Sequence, residues 1–205
     1  MKDLLFPYDN VRDVQKEMLS LVDDAIMNGK KLIVHAPTGL GKTAAVLAPA
    51  IKNSIKNDLT VFFLTSRHTQ HQIAIKTLRE IKEKYDLKFT AADIIGKKWM
   101  CSFPEVENLS SNDFADYCKA MRKDDKCEFY VNTKKAKLSV EAKQAIDQLE
   151  NDSPCSSERI IEHCRNRKLC PYEIAIELAK NSKVIITDYN YIFNPKIQDS
   201  FFAKT

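Results

Sequence analysis

Glycine is scarce in this chain, which has four glycines among its 205 residues. Average usage of about 7% would give roughly fourteen. Few loops can therefore adopt a positive φ, and we expect the glycines where the backbone requires them. Two of the four, Gly39 and Gly41, lie in one short loop.

Long apolar runs and a marked excess of charge are also lacking. No stretch approaches the ~20 apolar residues of a membrane span, and the first residues do not resemble a signal peptide. We therefore expect an intracellular protein with no membrane partner. The net charge of +4 is too small by itself to indicate a nucleic-acid partner. With 44% hydrophobic and 29% charged residues, the chain is not intrinsically disordered.

Cysteine is absent before Cys101, and all six cysteines lie between Cys101 and Cys170. Disulfides are disfavoured inside cells, so such cysteines are either buried thiols or ligands of a metal site. Inert thiols would be scattered through the apolar faces of a core. Their clustering favours a metal or cluster site.

The first hundred residues alternate between helical periodicity and short apolar runs. This order predicts a parallel α/β sheet with right-handed connections. The predicted helices are 11–28, 43–55 and 70–84, and the predicted strands are 31–36, 59–65 and 88–95.

The pattern changes near residue 97. Residues 97–170 contain every cysteine, many lysines and short helical segments such as 139–149. A helix at 172–180 and a buried strand at 184–187 then follow. We interpret 1–96 as the first part of a P-loop domain, 97–170 as an insertion, and 171–205 as the return to the sheet.

A phosphate-binding loop joins the first predicted strand to the next helix, with alanine in place of the usual first glycine. Its backbone N–H groups and the helix N-terminus form an anion site. Lys42 would contact the β- and γ-phosphates of ATP, and the Thr43 hydroxyl would ligate Mg²⁺. The loop residues are Ala36, Pro37, Thr38, Gly39, Leu40, Gly41, Lys42 and Thr43.

A second acidic motif is missing, since the chain contains no Asp-Glu dipeptide. Asp188 follows four strand residues, but Tyr189 stands where a helicase would place glutamate. Asp188 is either a magnesium ligand or a residue that ends the strand, and the second interpretation is favoured.

The chain resembles the XPD-type iron–sulfur helicases of superfamily 2 over nearly its whole length. The resemblance rests on the P-loop, on Phe6-Pro7-Tyr8 and on Arg12-x-x-Gln15. It implies an incomplete RecA-like parallel sheet with an inserted, mainly α-helical iron–sulfur domain. It also implies that Arg12 and Gln15 contact the adenine end of ATP.

The cysteine spacing carries the strongest resemblance. Cys101, Cys118, Cys127 and Cys170 are separated by 16, 8 and 42 residues. Cys127-Glu128-Phe129-Tyr130 and Cys170-Pro171-Tyr172 are similar to family signatures, which implies a [4Fe–4S] cluster on these four thiolates. Zinc is the alternative, although the tight Cys pairs of structural zinc sites are absent. Cys155 and Cys164 remain as free thiols, or Cys164 substitutes for one ligand.

The segment 65–70, Thr-Ser-Arg-His-Thr-Gln, is similar to the family segment that touches the DNA backbone, which implies that Ser66 and Arg67 bind DNA. The resemblance also implies DNA binding at Lys97, where the family usually has arginine. Lysine keeps the positive charge but cannot form the bidentate hydrogen bonds of a guanidinium. Basic and aromatic residues of the insertion suit single-stranded DNA, with a solvated charged face as the alternative. They are Lys119, Arg122, Lys123, Lys126, Lys134, Lys135, Lys137, Arg165, Arg167 and Lys168, with Phe129, Tyr130 and Tyr172.

The resemblance implies the N-terminal part of an ATP-dependent DNA helicase, with 5′ to 3′ polarity and a role in DNA repair. Expected partners are single-stranded or forked DNA and the remainder of the helicase. The Asp-Glu-x-His motif and second motor domain are absent, so we expect no efficient hydrolysis or unwinding by this chain alone. The expected location is the cytoplasm in a prokaryote or archaeon and the nucleus in a eukaryote.

Two other functions stay open. One is a non-catalytic nucleic-acid-binding module with a P-loop and a zinc or iron–sulfur site. The other is a P-loop phosphotransferase, which would need an acidic residue near the loop.

Overall fold

A three-stranded parallel sheet organises the computed structural model, which describes residues 4–204. The strands are β1 (Val61–Thr65), β2 (Ala91–Ile94) and β3 (Val184–Asp188). Their order is β1-β3-β2, so the last strand along the chain lies in the middle. Val61 of β1 and Ala91 of β2 both lie opposite Val184 of β3.

Helices make up most of the remaining structure. Serine hydroxyls accept the hydrogen bonds that begin three of them, from N–H groups at 3.1–3.4 Å. Within residues 4–204, no helix is both long and apolar enough to cross a membrane. The helices are α1 (Asp13–Met27), α2 (Lys42–Asn57), α3 (His68–Lys84), α4 (Ser111–Lys123), α5 (Glu128–Thr133), α6 (Val140–Asn151), α7 (Ser157–Arg165), α8 (Pro171–Lys180), α9 (Asn190–Phe193) and α10 (Pro195–Phe202), with a 3₁₀ helix at Pro104–Asn108.

Both faces of β3 are buried, as expected for a central parallel strand. Val184 and Ile186 pack with apolar residues of α2 and α3. Ile185 points the other way, into a core that contains residues of α6, α7 and α8. The insertion therefore shares a hydrophobic core with the sheet, and the division at residues 96 and 170 stays a prediction.

A buried carboxylate also ties the insertion to the sheet. Asp93 of β2 lies 2.5 Å from Nδ1 of His71 in α3, through its Oδ1. Its Oδ2 accepts a hydrogen bond of 2.7 Å from the backbone N–H of Ser157, the first residue of α7. Asp93 is fully buried and His71 is 1% exposed. One side chain thus joins β2, α3 and α7.

The strand predicted at 31–36 is wrong. No strand among residues 4–204 pairs with this segment, and Ile33 is 98% exposed. An extended segment becomes a strand only when a neighbour satisfies its backbone hydrogen bonds, and β1 pairs with β3 alone. Leu32 and Val34 face a groove of about 560 Å³ that is also lined by Phe63 of β1.

The other predicted elements are confirmed, with shifts of a few residues at their ends. The alternating order of strands and helices also confirms the predicted α/β class. Apolar periodicity determined these helices correctly because each buries one face against the sheet or a neighbouring helix.

Replacing Asp93 with alanine should destabilise the fold, because the imidazole of His71 and the Ser157 N–H would remain buried without their partner. We expect the free energy of unfolding to fall by about 3 kcal/mol or more, measured by urea denaturation. Asp147→Ala on the exposed face of α6 is the control and should change it by less than about 0.5 kcal/mol. Equal effects of the two variants would contradict the role of Asp93.

Candidate functional site

The predicted P-loop connects the exposed segment 31–36 to the N-terminus of α2. Gly39 and Gly41 have φ values of +82° and +80°, which β-carbons disfavour. A Cβ at Gly41 would also lie 2.7 Å from Nε2 of Gln15. These two glycines are therefore required by the geometry of the loop, as the sequence predicted.

Lys42 closes the mouth of the loop. Its Nζ donates hydrogen bonds to the carbonyl oxygens of Ala36 at 3.1 Å and Pro37 at 2.8 Å. Thr43 follows in the first turn of α2, where backbone N–H groups and the helix dipole favour an anion. The loop thus places an ammonium, a hydroxyl and free N–H groups together.

Gln15 braces this loop from α1. Its Nε2 donates to the carbonyl of Leu40 at 2.6 Å, and its Oε1 accepts from the N–H of Arg12 at 3.0 Å. Gln15 is 5% exposed, whereas Arg12 is exposed at the start of α1. Both ends of the amide are engaged with backbone, so the adenine contact of Gln15 and Arg12 stays a prediction.

The four cysteines predicted as ligands all line one small cavity, of about 30 Å³. Cys118 lies in α4, while Cys127 and Cys170 immediately precede α5 and α8. Cys101 ends the turn that follows β2. Four separate segments therefore bring their thiols to one place.

These thiols are free and partly buried. Burial raises the pKa of Cys101 and of Cys127, and it raises the pKa of Cys170 to about 12. In the part of the chain that the structure describes, no three His, Cys, Asp or Glu side chains are grouped closely enough for a single metal ion. The donors surround a cavity instead of one point.

Cys155 and Cys164 lie outside the lining of that cavity. Both are fully buried in the core formed by α6, α7 and α8. The Cys155 thiol donates to the carbonyl of Leu149 at 3.7 Å, and burial raises the pKa of Cys164 to about 12. This placement is that of structural thiols.

A basic groove of about 910 Å³ adjoins the cysteine cavity at the carboxyl ends of β2 and β3. Lys97, Cys118 and Arg122 line both, so the two sites share a wall. Ligands of parallel sheets typically bind at this edge. Six basic side chains and one carboxylate line the groove: Lys97, Lys98, Lys119, Arg122, Lys123 and Lys196, with Asp188.

The other basic residues of the insertion are partly used elsewhere. Lys126, Lys134 and Lys168 form ion pairs with Asp124, Glu177 and Glu128. Only part of the predicted basic set therefore faces the groove. The ion-paired lysines fit the alternative interpretation, a solvated charged face.

Ser66 and Arg67 lie apart from the groove lining. They are exposed at the carboxyl end of β1, and Arg67 precedes α3. Their N-terminal neighbour Thr65 accepts a hydrogen bond from the Arg67 N–H at 3.3 Å. The structure thus places two predicted DNA residues on the same sheet edge as Lys97 without joining them into one cavity.

Lys98, Trp99 and Lys196 also line the groove and were not found as site residues from the sequence. The adjacency of Lys98 and Trp99 to the first cysteine was the available signal. Of the rings expected to stack, Tyr172 is 8% exposed and lies beneath Lys97, 5.1 Å from its Nζ. The Tyr130 ring lies under the Arg122 guanidinium at 3.9 Å.

Alkylation should separate the two cysteine classes, because the thiolate is the reactive form and Cys164 stays protonated in the folded chain. In the folded chain treated with a chelator at pH 8, iodoacetamide should modify Cys118 and leave Cys155 and Cys164 unmodified. Urea should make all six reactive, as measured by peptide mass spectrometry. Modification of Cys164 at the rate of Cys118 without urea would contradict its burial.

Comparison with known proteins places these features in a family. The DEAD_2 family model matches residues 63–204. The chain is 26% identical over 215 residues to the XPD helicase subunit of general transcription and DNA repair factor IIH from Arabidopsis thaliana, covering 94% of this chain and 27% of that protein. It is 26% identical over 183 residues to the ATP-dependent DNA helicase XPD of Sulfolobus acidocaldarius, covering 89% of this chain and 28% of that protein.

The fold agrees with these similarities. A solved XPD helicase structure matches 94% of this chain and 30% of its own, with a TM-score of 0.63 and 23% identity. The chain thus spans about a quarter of the length of the curated relatives it matches. Because the family model covers more than half of the chain, the chain belongs to the DEAD_2 family and is related to the XPD-type helicases.

Proposed function

We propose that this chain is the N-terminal part of the first motor domain of an ATP-dependent DNA helicase that carries a [4Fe–4S] cluster. It would bind ATP with Mg²⁺ and single-stranded or forked DNA, in DNA repair and with 5′ to 3′ polarity. Such a helicase works inside the cell, in the cytoplasm of a prokaryote or archaeon or the nucleus of a eukaryote. The observation that carries the proposal is the wall shared by the basic groove and the four-cysteine cavity.

The P-loop supports nucleotide binding. A phosphate entering it would replace the carbonyl oxygens of Ala36 and Pro37 as the partner of the Lys42 ammonium. The N-terminus of α2 would stabilise the phosphate charge, and the Thr43 hydroxyl would reach the Mg²⁺ ion. Gln15 holds the loop in shape while this exchange takes place.

The donor set supports an iron–sulfur cluster over zinc. Four thiolates around a single zinc ion must all lie about 2.3 Å from one point. The cysteines of a [4Fe–4S] cluster bind four different irons, so they surround a larger volume. Cys101, Cys118, Cys127 and Cys170 all line one cavity, and their spacing lacks the tight Cys pairs of structural zinc sites. When bound, the cluster would cross-link the four segments that carry these residues.

The groove supports binding of single-stranded DNA. Its six basic side chains against one carboxylate favour a phosphate backbone, whose binding releases condensed counterions. Ser66 and Arg67 would contact the backbone further along the same edge of the sheet. The +4 net charge of the chain matters here because of its local distribution.

The exposed edge of the sheet supports the remainder of the helicase as a partner. Within residues 4–204, β1 pairs with β3 on one side only. The groove that Phe63 of β1 lines together with Leu32 and Val34 is mostly apolar and also includes Lys42 and Thr43. We expect apolar strands of the remainder to cover this groove. Without them, and without a second acidic motif, the chain alone should not hydrolyse ATP efficiently.

Lys42→Ala should weaken ATP–Mg²⁺ binding by about tenfold or more, since it removes charge-assisted hydrogen bonds to phosphate. Isothermal titration calorimetry checks this, with the exposed Lys56→Ala in the same helix as the control. Unchanged affinity in Lys42→Ala would contradict the P-loop function. Robust DNA-stimulated hydrolysis by the wild-type chain would contradict the requirement for the remainder.

Anaerobic reconstitution with iron and sulfide should yield about four iron atoms per wild-type chain. Serine replacement of Cys101, Cys118, Cys127 or Cys170 should lower the iron content and the visible absorption. Cys155→Ala and Cys164→Ala are matched controls, since these cysteines lie outside the cavity, and should retain both. Zinc without iron in the purified chain would favour the alternative, a non-catalytic binding module with a zinc site.

A further inference from the structure

We propose that Trp99 is a stacking platform for an unpaired nucleobase at the mouth of the basic groove. The inference rests on the proposed function in one respect, that the groove binds single-stranded nucleic acid. It adds a base contact to a groove whose six basic side chains suit phosphate.

Trp99 is the exposed aromatic residue of the groove lining, with 59% of its surface accessible. Tyr172 and Tyr191 also line the groove but are 8% and 6% exposed. The ring of Tyr130 is covered by Arg122. A base that enters the groove therefore meets the indole of Trp99 before any other ring.

The backbone that carries Trp99 is fixed before any ligand binds. The backbone N–H of Trp99 donates to the carbonyl of Gly96 at 2.8 Å, which closes a tight turn. The indole lies over Gly96, where an added Cβ would be 3.2 Å from its Cδ1. Because the turn already presents the indole at the groove, binding a base would not require this backbone to be ordered.

Lys98 adds a second restraint and a charge. Its Nζ lies 4.9 Å from the centre of the Trp99 ring and donates to the carbonyl of Leu109 at 2.6 Å. The ammonium thus lies over one face of the indole, which leaves the other face for a base and places a cation near the phosphate of that nucleotide. Basic side chains combined with an aromatic face are what single-stranded binding sites use.

The rest of the groove would track the backbone of the same strand. Lys119 and Lys123 of α4 and Lys196 of α10 line it together with Trp99. Every base has a π-face, so stacking on Trp99 would be tolerant of sequence. The ligand class is therefore single-stranded DNA of mixed sequence, bound through one stacked base and several phosphates.

Intrinsic fluorescence tests the contact directly, because Trp99 is the single tryptophan of the chain. Titration of the full chain with a dT oligonucleotide should quench its emission. An oligonucleotide of abasic residues with the same number of phosphates should bind more weakly and quench little. Quenching by the abasic strand equal to that by dT would overturn the stacking role.

Substitutions separate stacking from charge. Trp99→Ala should weaken dT binding about 5- to 100-fold by fluorescence anisotropy, with an unchanged dependence on salt because no phosphate contact is lost. Trp99→Phe should retain most of the affinity. Phe193→Ala removes a 71% exposed ring outside the groove lining and should have no effect. Circular dichroism and iron content should match the wild type in all three.

The outcomes distinguish this inference from the proposed function. Wild-type binding with unchanged fluorescence, and equal affinity in Trp99→Ala, would overturn the inference and leave the DNA-binding groove standing. A wild-type chain that binds neither oligonucleotide would contradict both.

Discussion

The pairing of β3 between β1 and β2 is the constraint on which the rest of the structure depends. β3 is the last strand along the chain, yet it occupies the centre of the sheet and is buried on both faces. The chain must therefore leave the sheet after β2 and return to it almost ninety residues later. This return brings the cysteine cavity and the basic groove to the carboxyl edge of the sheet.

The shared wall between groove and cysteine cavity follows from this arrangement. Cys118 and Arg122 are one turn apart on the same face of α4, and both line the cavity and the groove. Arg122 lies 3.4 Å from the buried carboxylate of Glu173, at the start of α8. Any change in the position of α4 would thus be felt in both sites. The Asp93 link provides a second rigid connection, from the insertion back to β2 and α3.

The local order of residues was enough to predict the helices and the loop glycines. It was not enough to predict which strands pair with each other. Helical periodicity predicted α1, α2 and α3, because a helix that buries one face has apolar residues spaced at the helical repeat. Gly39 and Gly41 were predicted because a phosphate loop needs a positive φ at fixed positions. The prediction of a strand at 31–36 was wrong because strand pairing depends on residues far away in the sequence. The buried contact of Asp93 with His71, and the exposure of Trp99 beside Gly96, depend on how the elements pack, which the local sequence does not reveal.

Among residues 4–204, the edge of β1 that faces away from β3 has no strand partner, which bears on the solubility of the chain. Backbone N–H and C=O groups at such an edge pair readily with any other extended chain, and charged or proline residues normally prevent this. The strand Val-Phe-Phe-Leu-Thr carries neither, and the fully exposed Ile33 lies on the neighbouring segment. We therefore expect this edge to favour self-association of the chain at high concentration wherever nothing covers it.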